Sequence, residues 1–291
     1  MRGLSRSLRW LALAPVAAWA HHTPGDTSGV EPWALACLVV SVVLYAAGVA
    51  RLWKKAGPAR GIGAGDVARF AAGWLVLCAA LLPPLDAVTP NYFAAHMLQH
   101  ELLMVVAAPL LVRARPLEAW TWALPAPWRS ALGDAVRSRW LRRLWGAITE
   151  PVGAWCLHAI AIWAWHIPAL FEAAVANTVI HILQHASFFA SALLFWWSVS
   201  PRAPSGRDGV ALASIFTTML HTSALGALLT FAPSPWYAPY AAGGALGLSP
   251  LEDQQLGGLV MWVPGGFAYV VAGLALAWRW LRRGPAALSF R

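Results

Sequence analysis

Two pairs of histidines with identical spacing are the residues of this sequence whose types and positions best suit chemistry. One pair is His96 and His100, in the string HMLQH, and the other is His181 and His185, in HILQH. On a helix, side chains four residues apart share a face with Cβ atoms about 5–6 Å apart, so both imidazoles of a pair can bind one metal ion. The glutamine before the second histidine of each pair is placed to orient an imidazole through a hydrogen bond. The two strings therefore predict a metal site contributed by two helices.

The segments that carry these pairs are long and apolar. Hydrophobic residues make up 59% of the chain and charged residues 11%, whereas soluble domains carry about 25% charged residues. A helix needs about 20 mainly apolar residues to cross the hydrocarbon layer. We therefore predict an all-α integral membrane protein, a seven-transmembrane-helix bundle. Its spans are predicted at Trp33–Trp53, Ala68–Ala87, Phe93–Val112, Val152–Val175, Thr178–Ser200, Gly209–Phe231 and Pro250–Trp280.

The first twenty residues differ from the rest of the chain. Three arginines precede an apolar stretch that is too short to span a bilayer and ends in Ala18-Trp19-Ala20. A basic start, a short apolar region and a small-x-small end are typical of a secretory signal peptide. We predict that residues 1–20 are a cleaved signal peptide and that residues 21–291 form the membrane domain. An uncleaved amphipathic anchor is the alternative interpretation of the same pattern.

The distribution of basic residues predicts the orientation of the bundle. After the signal peptide, lysine and arginine cluster in the connections that follow the first, third and fifth predicted spans, and at the C-terminal end. The other connections contain none. Positive charge near span ends stays in the cytoplasm, so we predict an outside N-terminus and a cytoplasmic C-terminus. Five tryptophans among the arginines of residues 116–145 predict an interfacial amphipathic segment on the anionic cytoplasmic leaflet. Topology thus accounts for the net charge of +9, and no nucleic-acid partner is predicted.

With this orientation, the position of a histidine along its span gives its depth, since a helix rises about 1.5 Å per residue. The two pairs lie in the outer half of the bilayer, and His166 and His221 are predicted to join them from two further spans. Ionisable residues inside a bilayer are rare and usually face a functional interior. His158 lies toward the cytoplasmic side, where a hydrogen-bonded packing role is predicted. The predicted metal ligands are His96, His100, His166, His181, His185 and His221.

Four further residues are additional candidates. Asp253 and Met261 lie on one face of the last span, although a helix N-terminal acid and a packing methionine are alternative roles for them. His21 and His22 would begin the mature chain if cleavage follows Ala20, beside a free amino group that can chelate copper. The three cysteines form no CxxC pattern, so a thiolate copper site is not predicted.

The ligand types narrow the choice of metal only partly. Imidazole suits zinc, copper, iron and nickel. Methionines near the predicted site favour copper, whereas zinc and a haem held by two histidines stay open as alternatives. None of the motifs is a catalytic signature.

Several strings together resemble a known family. They are HMLQHELLMVVAAPLLV, WHIPALFEAAVANTVIHILQHASFFASALLFWW, MLHTSALGALLTFAPSPWY and SPLEDQQLGGLVMWVPGG, which extend from the third predicted span to the seventh. They are similar to the multi-span CtaG family of bacterial cytochrome c oxidase assembly factors. The resemblance implies a role in maturing a haem–copper oxidase, through copper supply to its metal centre. It also implies that the six predicted histidine ligands, with Asp253 and Met261, are the family's motif residues.

The resulting prediction is an assembly factor or metallochaperone, not an enzyme. It binds copper through intramembrane histidines and supplies it to the oxidase. Its predicted partners are a haem–copper oxidase subunit and the lipid bilayer. Its predicted location is the bacterial plasma membrane, which the chain crosses several times. The alternatives are a membrane oxidoreductase that uses haem or a metal centre, and a metal transporter.

Overall fold

The structure is a computed structural model of the 291-residue chain that describes residues 31–200, 208–241 and 247–282. Within these ranges every regular element is helical, which confirms the predicted all-α class. The signal peptide predicted for residues 1–20 and the candidate ligands His21 and His22 lie outside the described residues.

Fourteen α-helices and three other helical segments make up the described chain. The α-helices are α1 (Pro32–Ala56), α2 (Ala64–Leu81), α3 (Leu85–Val88), α4 (Phe93–Glu101), α5 (Ala108–Arg113), α6 (Pro116–Ala123), α7 (Ala126–Val136), α8 (Arg139–Thr149), α9 (Pro151–Trp165), α10 (Pro168–Ala176), α11 (Thr178–Ser198), α12 (Asp208–Thr230), α13 (Pro250–Val260) and α14 (Gly266–Arg282). A π-helical segment, Leu102–Ala107, joins α4 to α5, and another, Met261–Gly265, joins α13 to α14. A short 3₁₀ helix occupies Ala238–Tyr240.

Six of the described stretches are long and apolar enough to cross a membrane. Each overlaps one of the predicted spans, namely the first, second, third, fifth, sixth and seventh. Their outward faces are apolar: on α1, for example, the exposed fractions of Val39, Val40 and Val43 are 48%, 55% and 57%. Since lipid tails are the environment that favours such an exposed face, this surface agrees with a multi-pass membrane protein.

The predicted fourth span, 152–175, is two helices instead of the single helix that we expected. α9 ends at Trp165 and α10 begins at Pro168, with Ile167 between them in an extended conformation. Proline has no N–H to donate and disfavours helical geometry in the residue before it, which accounts for the break at this point. α8 and α9 meet at 66°, and this bent pair is a seventh candidate span if it is counted as one.

The third span is the centre of the bundle. In its most apolar stretch 67% of the residues are buried inside the protein, whereas the corresponding values for the other five spans are 17% to 39%. α4 packs against α13, and the π-helical segment that follows it packs against α2 and α11. The first histidine pair therefore lies in the interior, on a helix that other helices surround.

Glycines allow the last span to approach its neighbours closely. A Cβ atom at Gly258 would lie 2.6 Å from the carbonyl oxygen of Gly226, and one at Gly257 would lie 2.5 Å from the ring of Phe93. Small residues of this kind let membrane helices pack backbone against backbone. α13 is thereby held against both α12 and the beginning of α4.

Candidate metal centre

The structure brings the two histidine pairs together on facing helices. Ring centroids are 4.5 Å apart for His96 and His100 on α4, and 4.2 Å apart for His181 and His185 on α11. Across the two helices the separations are 5.3 Å for His96 and His181, and 5.2 Å for His100 and His185. These four residues form a compact group of imidazoles, called here the histidine cluster.

Three members of the cluster lie close enough together to share one metal ion. One side-chain nitrogen from each of His96, His181 and His185 lies within 4.8 Å of the other two. Metal–nitrogen bonds of about 2.0–2.1 Å place tetrahedral ligand nitrogens roughly 3.3 Å apart. Small side-chain rotations would therefore complete a three-imidazole site, and His100 lies beside His96 and His185 as a fourth ligand.

A hydrogen-bond chain determines which nitrogen of His96 carries the proton. The Tyr240 hydroxyl donates to the carbonyl oxygen of Thr89 at 3.0 Å, so it accepts from Nδ1 of His96, which lies 2.8 Å away. Burial, together with the nearby Asp253 carboxylate, raises the pKa of Tyr240, a loop residue outside the spanning helices, so the phenol keeps its proton. Nε2 of His96 is therefore left with a free lone pair, the form in which imidazole binds a metal.

Several nitrogens of the cluster are buried without a hydrogen-bond partner. They are Nε2 of His96, His181 and His185, and both ring nitrogens of His100. Buried polar atoms nearly always have a partner, and each one without it costs about 1–3 kcal/mol. A metal ion bound by the lone-pair nitrogen of each imidazole would satisfy one such atom on every ring, so the residues present fit a metal as ligand donors.

His166 lies next to the cluster, at the break between α9 and α10. Its Nδ1 donates to the carbonyl oxygen of Ile162 at 2.7 Å, which leaves the buried Nε2 with a lone pair and no partner. Its ring packs against Phe171 and Phe188, which in turn contact His96 and His100. The structure thus places His166 one aromatic layer away from the four clustered imidazoles.

His221 packs against tryptophans of α9. Its Nδ1 accepts a hydrogen bond from the indole of Trp163 at 3.3 Å, and its ring contacts Trp155. Because Nδ1 accepts this bond, the proton of the neutral ring is on Nε2, which has no partner. His221 was predicted to join the cluster from a deeper position near the bilayer middle, but in the described part of the chain no ring contact joins it to the cluster. His158 donates to Ser191 at 3.0 Å, in keeping with its predicted packing role.

Asp253 and Met261 occupy packing positions beside the site. The Asp253 carboxylate accepts hydrogen bonds from the backbone N–H groups of Phe93 at 2.7 Å and Ala94 at 3.2 Å. It therefore caps α4 from a different helix and positions the first histidine pair. Met261 is 3% exposed and belongs to the main hydrophobic core.

Sequence reasoning missed the roles of two polar residues near the cluster. Gln99 was expected to orient an imidazole, but its amide N–H groups donate to the carbonyl oxygen of Ala80 and to Oδ1 of Asp86, at 2.7 and 2.8 Å. Tyr240, the partner of His96, comes from a loop 144 residues further along the chain. Neither role has a local sequence signal, because both partners are distant in the chain.

A comparison with protein families supports the resemblance seen in the sequence. The family model described as cytochrome c oxidase caa3 assembly factor (Caa3_CtaG) matches residues 43–283. The chain belongs to this family. The matched range contains the whole histidine cluster, His166 and His221. No curated protein and no solved structure matched the chain.

Proposed function

We propose that this protein supports cytochrome c oxidase maturation by holding a copper ion in the histidine cluster and passing it to an oxidase subunit. Membership of the assembly-factor family supports the role in maturation. The observation that carries the copper proposal is the convergence of four imidazoles on α4 and α11, with buried nitrogens that have no hydrogen-bond partner.

The chemistry of the cluster suits a metal that is held and then released. All four ligands are neutral imidazoles, which bind copper well in either common oxidation state. His181 is only half-buried, whereas His96, His100 and His185 are 1% to 4% exposed. Exchange of the half-buried ligand for a group on the partner would open the site, as transfer requires.

The proposal includes the predicted membrane topology. We count α9 and α10, instead of the bent pair α8 and α9, as one broken span. The bundle then has seven spans, with an outside N-terminus and a cytoplasmic C-terminus. α8 would then lie on the cytoplasmic leaflet of the bacterial plasma membrane, because its exposed Trp140 and Trp145 alternate with arginines. In this orientation the cluster lies near the outer surface, as predicted from the sequence.

The experiment that tests the proposal is metal analysis with an absorption spectrum on full-length protein purified from copper-supplemented membranes. We expect about one copper per chain in the wild type, and at least a tenfold loss in His100→Ala and His185→Ala. His158→Gln is the matched control, since it alters a buried histidine outside the cluster, and it should keep its copper. Oxidase activity in the same cells should fall with the copper content.

Wild-type copper content in both cluster variants would refute the proposal. A Soret band in the purified protein would favour the oxidoreductase alternative. The ring centroids of His96 and His181 are 5.3 Å apart, which leaves no room for a porphyrin between the two rings. Copper uptake into sealed vesicles would favour the transporter alternative.

A further inference from the structure

A cavity of about 210 Å³ reaches the histidine cluster from the end of the bundle at which α1 begins. Its inner wall contains His181 and His185. Its outer wall is formed by the first turn of α1, the segment around α3 and the end of α10. The cavity therefore connects the half-buried member of the cluster with the surface.

Two carboxylates line this cavity, and none of the lining residues that the structure describes is a lysine or an arginine. One belongs to Glu31, which directly precedes α1 but does not cap the helix with its side chain. The other belongs to Asp86 on α3, whose Oδ1 accepts a hydrogen bond from the amide N–H of Gln99 at 2.8 Å. The charge of the cavity wall is thus negative, with imidazoles at its inner end.

The opposite approach to the cluster is closed by aromatic rings. Phe171 packs 5.1 Å from His96, and Phe93, Tyr237 and Tyr240 pack on Phe171 and on one another. Phe93, Phe171 and Tyr237 are each at most 1% exposed. Within the described residues, the acidic cavity is therefore an approach to the cluster that these rings do not close.

We propose that this cavity is a capture site for a hydrated divalent cation, with Glu31 and Asp86 as the residues that attract it and His181 as the first imidazole that it meets. Carboxylate oxygens followed by imidazole nitrogens suit a divalent first-row cation such as Cu²⁺, and negatively charged clefts raise the association rate of cations. The inference rests on the proposed function, because the cluster is the destination of the captured ion.

The test measures how fast Cu²⁺ loads onto purified full-length protein in detergent, by stopped-flow mixing, together with the copper content at equilibrium. The variants are Glu31→Gln, Asp86→Asn and the double variant. Asp86→Asn keeps an oxygen that accepts from Gln99, so only the charge is removed. Glu252→Gln is the matched control: it neutralises an exposed acid outside the cavity and leaves a side chain that can still form the capping box with Ser249.

We expect the double variant to load Cu²⁺ about tenfold more slowly than the wild type at low ionic strength. Each single variant should load at a rate between those of the wild type and the double variant. The copper content at equilibrium should stay at the wild-type value. Added salt should slow the wild type and the Glu252→Gln control but have little effect on the double variant, because screening acts on the charges that were removed.

Wild-type loading rates in the double variant would overturn this inference alone, provided that copper still disappears in His100→Ala and His185→Ala. A double variant that loads slowly but keeps the full salt dependence would also overturn it, since the loss would then not be electrostatic. If the wild type binds no Cu²⁺ at all, both this inference and the proposed function are refuted.

Discussion

Removing the hydroxyl group of Tyr240 is expected to weaken metal binding without altering any candidate ligand. In the structure this hydroxyl accepts from Nδ1 of His96 and donates to the carbonyl oxygen of Thr89. In Tyr240→Phe both partners lose their hydrogen bond, and His96 loses the contact that keeps a lone pair on Nε2. Loss of such a partner behind a metal-binding histidine typically lowers affinity 10–100-fold, which is about 1.4–2.7 kcal/mol.

Tyr237→Phe is a closely matched control for this change. Tyr237 lies in the same loop, is equally buried, and donates to the backbone carbonyl oxygen of His166 at 3.0 Å instead of to a cluster imidazole. Both variants leave buried polar groups without a partner, so each should lose about 1–3 kcal/mol of stability. Only Tyr240→Phe should lose copper affinity by more than a few-fold.

Copper affinity is measured by competition with a chromophoric chelator, and stability by thermal unfolding in the same detergent. Equal losses of affinity in the two variants would refute the reasoning, because the effect would then come from general loosening of the loop. An unchanged affinity in Tyr240→Phe would likewise refute the role of the Tyr240 hydroxyl in preparing His96 for metal binding.

The remaining predictions concern residues that hold α4 and the last span in place. Asp253→Ala removes the cap of α4 and should lower stability by about 0.5–2 kcal/mol; an unchanged thermal midpoint would contradict this. Gln99→Leu leaves two oxygen acceptors without their donor and should cost about 1–3 kcal/mol, which chemical denaturation of purified protein can check. Gly258→Ala places a Cβ atom against a backbone oxygen 2.6 Å away and should prevent accumulation of folded protein in the membrane. Gly146→Ala, which meets open space, should accumulate normally; equal levels of the two would disprove the packing argument.

The beginnings of several helices were predictable from local sequence. The predicted spans at Phe93, Thr178 and Pro250 start where the structure starts them. For two of these the reason is visible in the chain: Asn177 caps α11, and Ser249 with Glu252 forms a capping box on α13. Caps depend on residues within three positions of one another, so a sequence displays them directly.

The break in the fourth span was not predicted, although the sequence contained its signal. Pro168 separates two helices and leaves His166 at the junction, where we predicted one continuous span. The apolar content of residues 152–175 is high on both sides of the break, and hydropathy averages over it. A span predicted from hydropathy alone therefore runs past Pro168, where the structure ends one helix and begins the next.

The sequence by itself determined that this chain is a bundle of apolar helices with two histidine pairs on helix faces, because length, hydropathy and i, i+4 spacing are local properties. It also determined the family, through strings that lie within the matched range. Only the tertiary structure decided which histidines meet. Depth along a helix follows from counting residues, but the rotation of each helix depends on packing, such as the close contacts of Gly257 and Gly258. That packing joined the pairs on α4 and α11, turned His221 toward tryptophans of α9, and brought Tyr240 from a distant loop to His96.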